Sequence, residues 1–341
     1  TYFGNTANVT PEDRAEAAEN SIKPSKANDL VSSGFLEEEI TCTAIMNSSG
    51  LFAYNTSTNV DFSVTIRTKD GKGSGWATRN YSDVSLLDTK EASDIAIQKS
   101  KGSVDAKEME PGKYPLILEI HGGPNLAYGP VFTAELQRMA AQRYIVFYDN
   151  HRGSSSYGER FAMLLKYKYS SKEDFADHDS GVNAMIGLGF IDEKNLFIAG
   201  GSAGGIASAY AIGLTDRFSA AVVVKPVINW LSKVLTADSG LNQIPTQFPG
   251  MPWEHVEHYW QRSPMSLVGN VTTPTMLMTG ENDLRTPMAQ TEQFYQALKL
   301  RKIDTVLVKI PDSYHGIAGK PSRMITKIEH TLAWFEKYMT K

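Results

Sequence analysis

From about residue 110 onward, apolar residues come in short continuous runs separated by stretches with helical spacing. The runs are Tyr114–Ile120, Tyr144–Tyr148, Leu196–Ala199, Ala220–Val224, Thr275–Thr279 and Thr305–Ile310. They lack the in–out alternation of a sheet with one wet face, so they predict strands covered on both faces. Between them, Phe132, Leu136, Met139 and Ala140 fall on one helical face, as do Ile325, Ile328, Leu332, Phe335 and Met339. Strands alternating with amphipathic helices predict a mostly parallel, doubly wound α/β domain over residues 111–341.

Before residue 110 the pattern is weaker and more polar. Thr10-Pro11-Glu12-Asp13 reads as a helix start, with Thr as N-cap and Pro at the first helical position. The helix that it opens, Arg14–Asn20, carries no apolar stripe beyond alanines and is expected to be a surface arm. Ile40–Met46 is strand-like and runs into the turn cluster Asn47-Ser48-Ser49-Gly50. Phe62, Val64 and Ile66 alternate with Ser63, Thr65 and Arg67, the period of a half-buried strand. Residues 77–113 are read as loop. The division expected is therefore 1–110, an arm with a short β-containing segment, and 111–341, the α/β domain.

Composition narrows the function classes. The net charge is −4 with no long like-charge run, which argues against a nucleic-acid partner. No run of 18 apolar residues occurs, so no membrane span is expected. The single cysteine, Cys42, excludes an internal disulfide framework and a multi-cysteine zinc site. The chain begins at Thr1 and is read as a processed or truncated product, with its compartment (cytoplasmic, periplasmic or secreted) left open.

The chemistry lies on the loops that follow the strands. Gly200-Gly201-Ser202-Ala203-Gly204-Gly205 comes after Leu196–Ala199 and opens the helical run Ile206–Leu214, the strand–turn–helix context of a G-x-S-x-G nucleophile elbow. A serine attacks carbonyl carbon only when a histidine takes its proton and a carboxylate orients that histidine. Both are present in the required order. Gly280-Glu281-Asn282-Asp283 follows one strand and Pro311-Asp312-Ser313-Tyr314-His315 follows the next, giving Asp283 and His315, with Glu281 and Asp312 as rival acids. His121-Gly122-Gly123-Pro124 ends the first strong strand. Backbone N–H groups of Gly123 and Ala203 are the candidate oxyanion donors.

Together, His121–Pro124, Arg152-Gly153-Ser154-Ser155-Ser156-Tyr157-Gly158, Gly200–Gly205, Thr273-Pro274-Thr275, Gly280–Pro287 and His315-Gly316 resemble the catalytic domain of the prolyl oligopeptidase family, in its acylaminoacyl peptidase and dipeptidyl-peptidase-like branch. The resemblance covers roughly residues 110–341. It implies an α/β-hydrolase fold and a serine peptidase whose triad positions fall on Ser202, Asp283 and His315. It also implies a β-propeller before the hydrolase domain. Some 110 residues cannot hold a propeller of four to eight blades, so the first segment is read as an incomplete propeller or a small cap. Ala203 stands where many family members have an aromatic residue, which leaves the backbone donor in place and alters the neighbouring pocket.

Three further features stay open at this level. Asp174, Asp177, His178 and Asp179 include metal-ligand types, but such clusters more often cap a helix, here Val182–Leu188, and neither metal nor cofactor is expected. Residues 241–262 form a proline-punctuated aromatic stretch in which Phe248, Trp253, Tyr259 and Trp260 could line an apolar substrate pocket or simply pack. The substrate expected is a short peptide or acylated amino acid, with a small ester as the alternative, and a non-catalytic binding protein as a third reading. A homo-oligomer is possible.

Overall fold

The computed structural model describes residues 2–104, 111–123, 125–129 and 131–340. Pro124 and residues 105–110, which fall in two of the segments discussed above, lie outside the described residues. The chain divides into two compact units, Thr1–Glu110 and Pro111–Lys341.

The second unit is built on six parallel strands: β4 (Tyr114–Ile120), β5 (Ile145–Phe147), β6 (Ile191–Gly201), β7 (Ala220–Val224), β8 (Thr275–Gly280) and β9 (Thr305–Ile310). Their order across the sheet is β5-β4-β6-β7-β8-β9. Every predicted strand is present, and β6 extends beyond the predicted run at both ends. Both faces are dry. Along β4, Leu116, Leu118 and Ile120 enter one core with Ile198, Val223, Leu277 and Phe294. Ile117 points the other way, into a core with Phe197, Val222, Met278 and Phe335. Helices Ala203–Ala211 and Met288–Leu300 cover the first face, and Ala134–Ala141 and Pro321–Lys337 the second. Burying each such aliphatic side chain stabilises the fold by roughly 1.5–3 kcal/mol. That burial on two sides explains the continuous apolar runs. The strands' C-terminal ends all point to one edge of the sheet, and the loops that leave them carry the chemistry.

The first unit has three antiparallel strands, β1 (Leu30–Met46), β2 (Phe52–Thr68) and β3 (Ser74–Tyr81), in the order β1-β2-β3. Val60, Phe62, Val64 and Ile66 of β2 are buried, as their alternation requires. Two expectations fail here. The first helix runs over Pro11–Ala27, started by a Thr10–Asp13 capping box, and buries Ala17, Ser21 and Ser25. It is a packed element, and its Ser21 hydroxyl lies 2.8 Å from that of Ser93. Residues read as loop, 77–113, contain the second half of β3 and a helix over Thr89–Gly102, which buries Ala92, Ser93, Ala96, Ile97 and Ser100. Small and hydroxylated residues make both helix interfaces, so neither announces itself as an apolar stripe. A propeller blade is four-stranded; this sheet has three strands and is accompanied by the helices Gly4–Ala7, Pro11–Ala27 and Thr89–Gly102.

Candidate active site

Ser202 sits between β6 and the helix Ala203–Ala211 with φ 60° and ψ −117°. That conformation is unfavourable for an L-residue by about 1–3 kcal/mol and persists only when the surroundings hold it. Here the Ser202 N–H donates to the Val224 carbonyl at 3.0 Å, and the Ser202 carbonyl accepts from the Ile206 N–H at 3.0 Å. The Tyr169 hydroxyl donates to the Ala203 carbonyl at 2.6 Å. Gly204 is dictated by space: a Cβ there would lie 2.0 Å from the Ile120 carbonyl oxygen. Only glycine lets the helix start against the end of β4.

His315 lies between the serine and the acid. Its Nε2 is 3.0 Å from Ser202 Oγ and its Nδ1 is 2.8 Å from Asp283 Oδ2. Asp283 is buried and its carboxylate is saturated. Oδ1 accepts the Arg285 and Thr286 N–H groups, each at 2.9 Å, and Oδ2 also accepts the Thr286 hydroxyl at 2.9 Å. Burial pushes the Asp283 pKa up, but hydrogen bonds from His315 and Thr286 outweigh it and hold the carboxyl below its ordinary value. The rivals Glu281 and Asp312 are both exposed. Lys225, at the end of β7, donates from Nζ to the His315 carbonyl at 2.6 Å and anchors the histidine loop. Burial lowers the Lys225 pKa. Sequence reasoning missed Lys225 because nothing local links β7 to a loop 90 residues on.

Gly123 and Ala203 line the same cavity of about 240 Å³ as Ser202 and His315. Gly123 has φ 128°, which a residue with a side chain rarely adopts, and Ala203 is the first residue of its helix. An oxygen placed over Ser202 therefore faces a helix N-terminus, where backbone N–H groups and the helix dipole favour negative charge.

The rest of the cavity departs from the aromatic pocket expected. Its aromatic lining is Tyr169 and Trp230, accompanied by Lys233, Gln243, Gln247 and Arg285. Phe248 and Tyr259 are buried instead in a cluster behind Trp230, their rings stacked at 3.9 Å. Trp253 and Trp260 are exposed at the surface. Lys233 is fully buried, with Nζ donating to Ser239 Oγ at 3.0 Å and to Gln243. Burial, reinforced by the charge of Arg285, pushes its pKa down to about 8.

The acidic cluster read from the sequence is dispersed. A helix over Lys172–Gly187 begins earlier than expected and contains all four residues. Asp174 closes a capping box with Ser171, Asp177 binds Arg152 through both oxygens at 2.7 Å, and Asp179 pairs with Arg217. His178 Nδ1 bonds Asp149 instead, at 2.8 Å.

Fold and site together define an α/β-hydrolase carrying a serine–histidine–aspartate constellation. A model of the prolyl oligopeptidase family matches residues 130–341, and one of the PmbA/TldA metallopeptidase central domain matches residues 5–101. An uncharacterized peptidase of Bacillus subtilis (strain 168), YuxL, is 37% identical over 66% of this chain and 35% of its own length. Acylamino-acid-releasing enzyme 1 of Oryza sativa subsp. japonica is 29% identical over 67% of this chain and 30% of its own. Among solved structures, Pyrococcus horikoshii acylaminoacyl peptidase superposes with a TM-score of 0.65 at 23% identity, covering 94% of this chain and 44% of that one. The chain belongs to the prolyl oligopeptidase family. It spans about a third of the length of these curated relatives. The likeness to the metallopeptidase domain concerns the first unit alone.

Proposed function

We propose that this chain cleaves short peptides or acylated amino acids through an acyl-enzyme intermediate, with Ser202 as nucleophile. The observation that carries the reading is His315, held between Ser202 Oγ at 3.0 Å and Asp283 Oδ2 at 2.8 Å. Asp283 accepts from Nδ1, so Nε2 presents its lone pair to the serine hydroxyl. Ser202 Oγ attacks the substrate carbonyl as Nε2 takes the proton. The oxyanion is met by the Gly123 and Ala203 N–H groups, each such donor typically contributing roughly 2.7–4 kcal/mol. His315 then gives the proton to the leaving amine, and water repeats the sequence to release the acid. The likeness to acylamino-acid-releasing enzymes supports an acylated amino acid as substrate. So does a cavity of about 240 Å³ with polar lining, which suits one compact residue better than a long apolar chain. Among the described residues no helix is long and apolar enough to cross a membrane.

The test is covalent labelling by an organofluorophosphonate, read by intact mass. One adduct should form, disappear in Ser202→Ala and form far more slowly in His315→Ala. Labelling elsewhere, or at an unchanged rate in His315→Ala, would refute the assignment. Turnover of an acyl-aminoacyl anilide beside a short-chain p-nitrophenyl ester separates peptidase from esterase: hydrolysis of the ester alone would exclude the peptidase reading.

A further inference from the structure

Behind the loop that carries Gly123 lies a group of imidazoles that the triad does not use. His151 follows β5, two residues after Asp149, and His178 projects from the helix Lys172–Gly187. Both rings are buried, 3% and 0% exposed, with centroids 4.5 Å apart. His121, at the end of β4, stacks on His151 at 4.9 Å, and its own Nε2 lies 3.0 Å from Ser154 Oγ. His178 Nδ1 is bonded to both oxygens of Asp149, at 2.8 and 3.0 Å. An acceptor on that side puts the proton on Nδ1 and leaves Nε2 with its lone pair.

Two polar atoms in this group have no hydrogen-bond partner among the described residues: His178 Nε2 and His151 Nδ1. Buried polar atoms without partners are rare, and two that belong to one cluster of imidazoles point to a shared ligand. One ligand atom from each of Asp149, His151 and His178 lies within 4.8 Å of the others. Two imidazoles beside a carboxylate suit a borderline divalent cation, and an imidazole oriented by a carboxylate on its other nitrogen is the usual support for a metal ligand.

We propose that His151 and His178, with Asp149, form a buried site for a first-row divalent cation of the zinc class, separate from the serine site. His151 and His178 supply nitrogen ligands, and Asp149 supplies the carboxylate that holds His178 and offsets the ion's charge. The ion ties the segment after β5 to the helix Lys172–Gly187, directly beneath His121 and so beneath the oxyanion loop. The sequence reading placed His178 with acidic helix caps; the structure removes it from them and supplies other partners.

The test uses the metal-free chain titrated with Co²⁺ alone. One equivalent should produce visible d–d absorption bands, removed by Zn²⁺ in competition. Zn²⁺ should also raise the thermal midpoint of the wild-type chain. His151→Phe keeps the ring volume without nitrogens, and His178→Gln removes the second ligand; each should weaken Co²⁺ binding at least 100-fold. Asp149→Asn should weaken it by 10-fold or more. The double variant His255→Ala/His258→Ala, altered at another histidine pair, should bind as wild type does. Fluorophosphonate labelling and a cooperative melt report whether each variant is folded. Absence of bands in the wild type overturns the proposal. So do bands that survive in folded His151→Phe and His178→Gln, or bands lost in the His255/His258 double variant.

Discussion

Replacing Asp283 by Asn tests the site most sharply, because the geometry dictates how the amide must sit. Oδ1 of Asp283 accepts two backbone N–H groups, from Arg285 and Thr286, that cannot turn away. The Asn oxygen must therefore stay there, and its NH₂ must take the Oδ2 position, which faces His315 Nδ1 and the Thr286 hydroxyl. The hydroxyl can rotate to accept. The imidazole can accept only by moving its proton from Nδ1 to Nε2, where it points at Ser202 Oγ and blocks proton uptake. The wrong tautomer costs about 10⁴-fold in turnover. At about 1.4 kcal/mol per decade that is about 5 kcal/mol of barrier. The assay is ester turnover and fluorophosphonate labelling in parallel, since both need the activated serine and should fall by the same factor. Glu281→Gln and Asp312→Asn, altering exposed groups, should change either rate by less than threefold. A loss below tenfold in a folded Asp283→Asn, or an equal loss at either rival, would refute the tautomer argument. Asp283 also carries a stability signature. Its folded pKa lies below the ordinary carboxylate value, so its contribution is present above that value and is lost as pH falls through the folded one. The stability gap between wild type and the Asn variant should narrow in acid.

Two further outcomes follow from burial. Glu119 is pushed up to about 8 by burial, with Glu135 adding and Lys327 opposing, so folding retains its proton between the ordinary carboxylate range and pH 8. Wild-type stability should fall across that window; Glu119→Gln should match wild type near pH 4.5 and exceed it by a few kcal/mol at pH 9 in thermal melts, and equal melts at pH 9 would sink the reasoning. Gly204→Ala puts a methyl 2.0 Å from a backbone oxygen, so urea denaturation should show a loss of about 4 kcal/mol or more, and near-wild-type stability would show that the elbow yields more easily than its packing implies.

The α/β unit was legible because each of its strands is a local statement. A strand buried on both faces must be apolar throughout, and Ala220–Val224 is buried at every position. The first unit hides its helices by packing through Ser21, Ser25, Ser93 and Ala96, whose small side chains leave no apolar stripe that stands out from the polar background. A long hairpin added to the difficulty. β1 and β2 pair over 17 residues each, yet Ile45, Met46, Phe52 and Tyr54 near the turn are exposed. Their apolar character therefore marks no core and misstates where the sheet is covered.

The site divides along the same line, between what one loop can announce and what only the fold assembles. The juxtaposition of Ser202, Asp283 and His315 was legible because each occupies a strand-end loop, in the order that the α/β-hydrolase fold imposes. The pocket was not, because its walls come from segments with no common pattern: Tyr169 before one helix, Trp230 and Lys233 on another, Arg285 beside the triad acid. Aromatic density between residues 241 and 262 pointed to the pocket, but aromatic side chains are drawn to any large burial, and Phe248 with Tyr259 stabilises the wall from behind. The cation beside the cavity is the opposite case. Lys233 is buried with its Nζ held by Ser239 and Gln243 and lying over the Trp230 ring, and burial pushes its pKa down to about 8, none of which a local sequence pattern announces. The cavity is thus lined largely by polar residues, Lys233, Gln243, Gln247 and Arg285 among them, and not by the aromatic residues that the sequence displays most plainly.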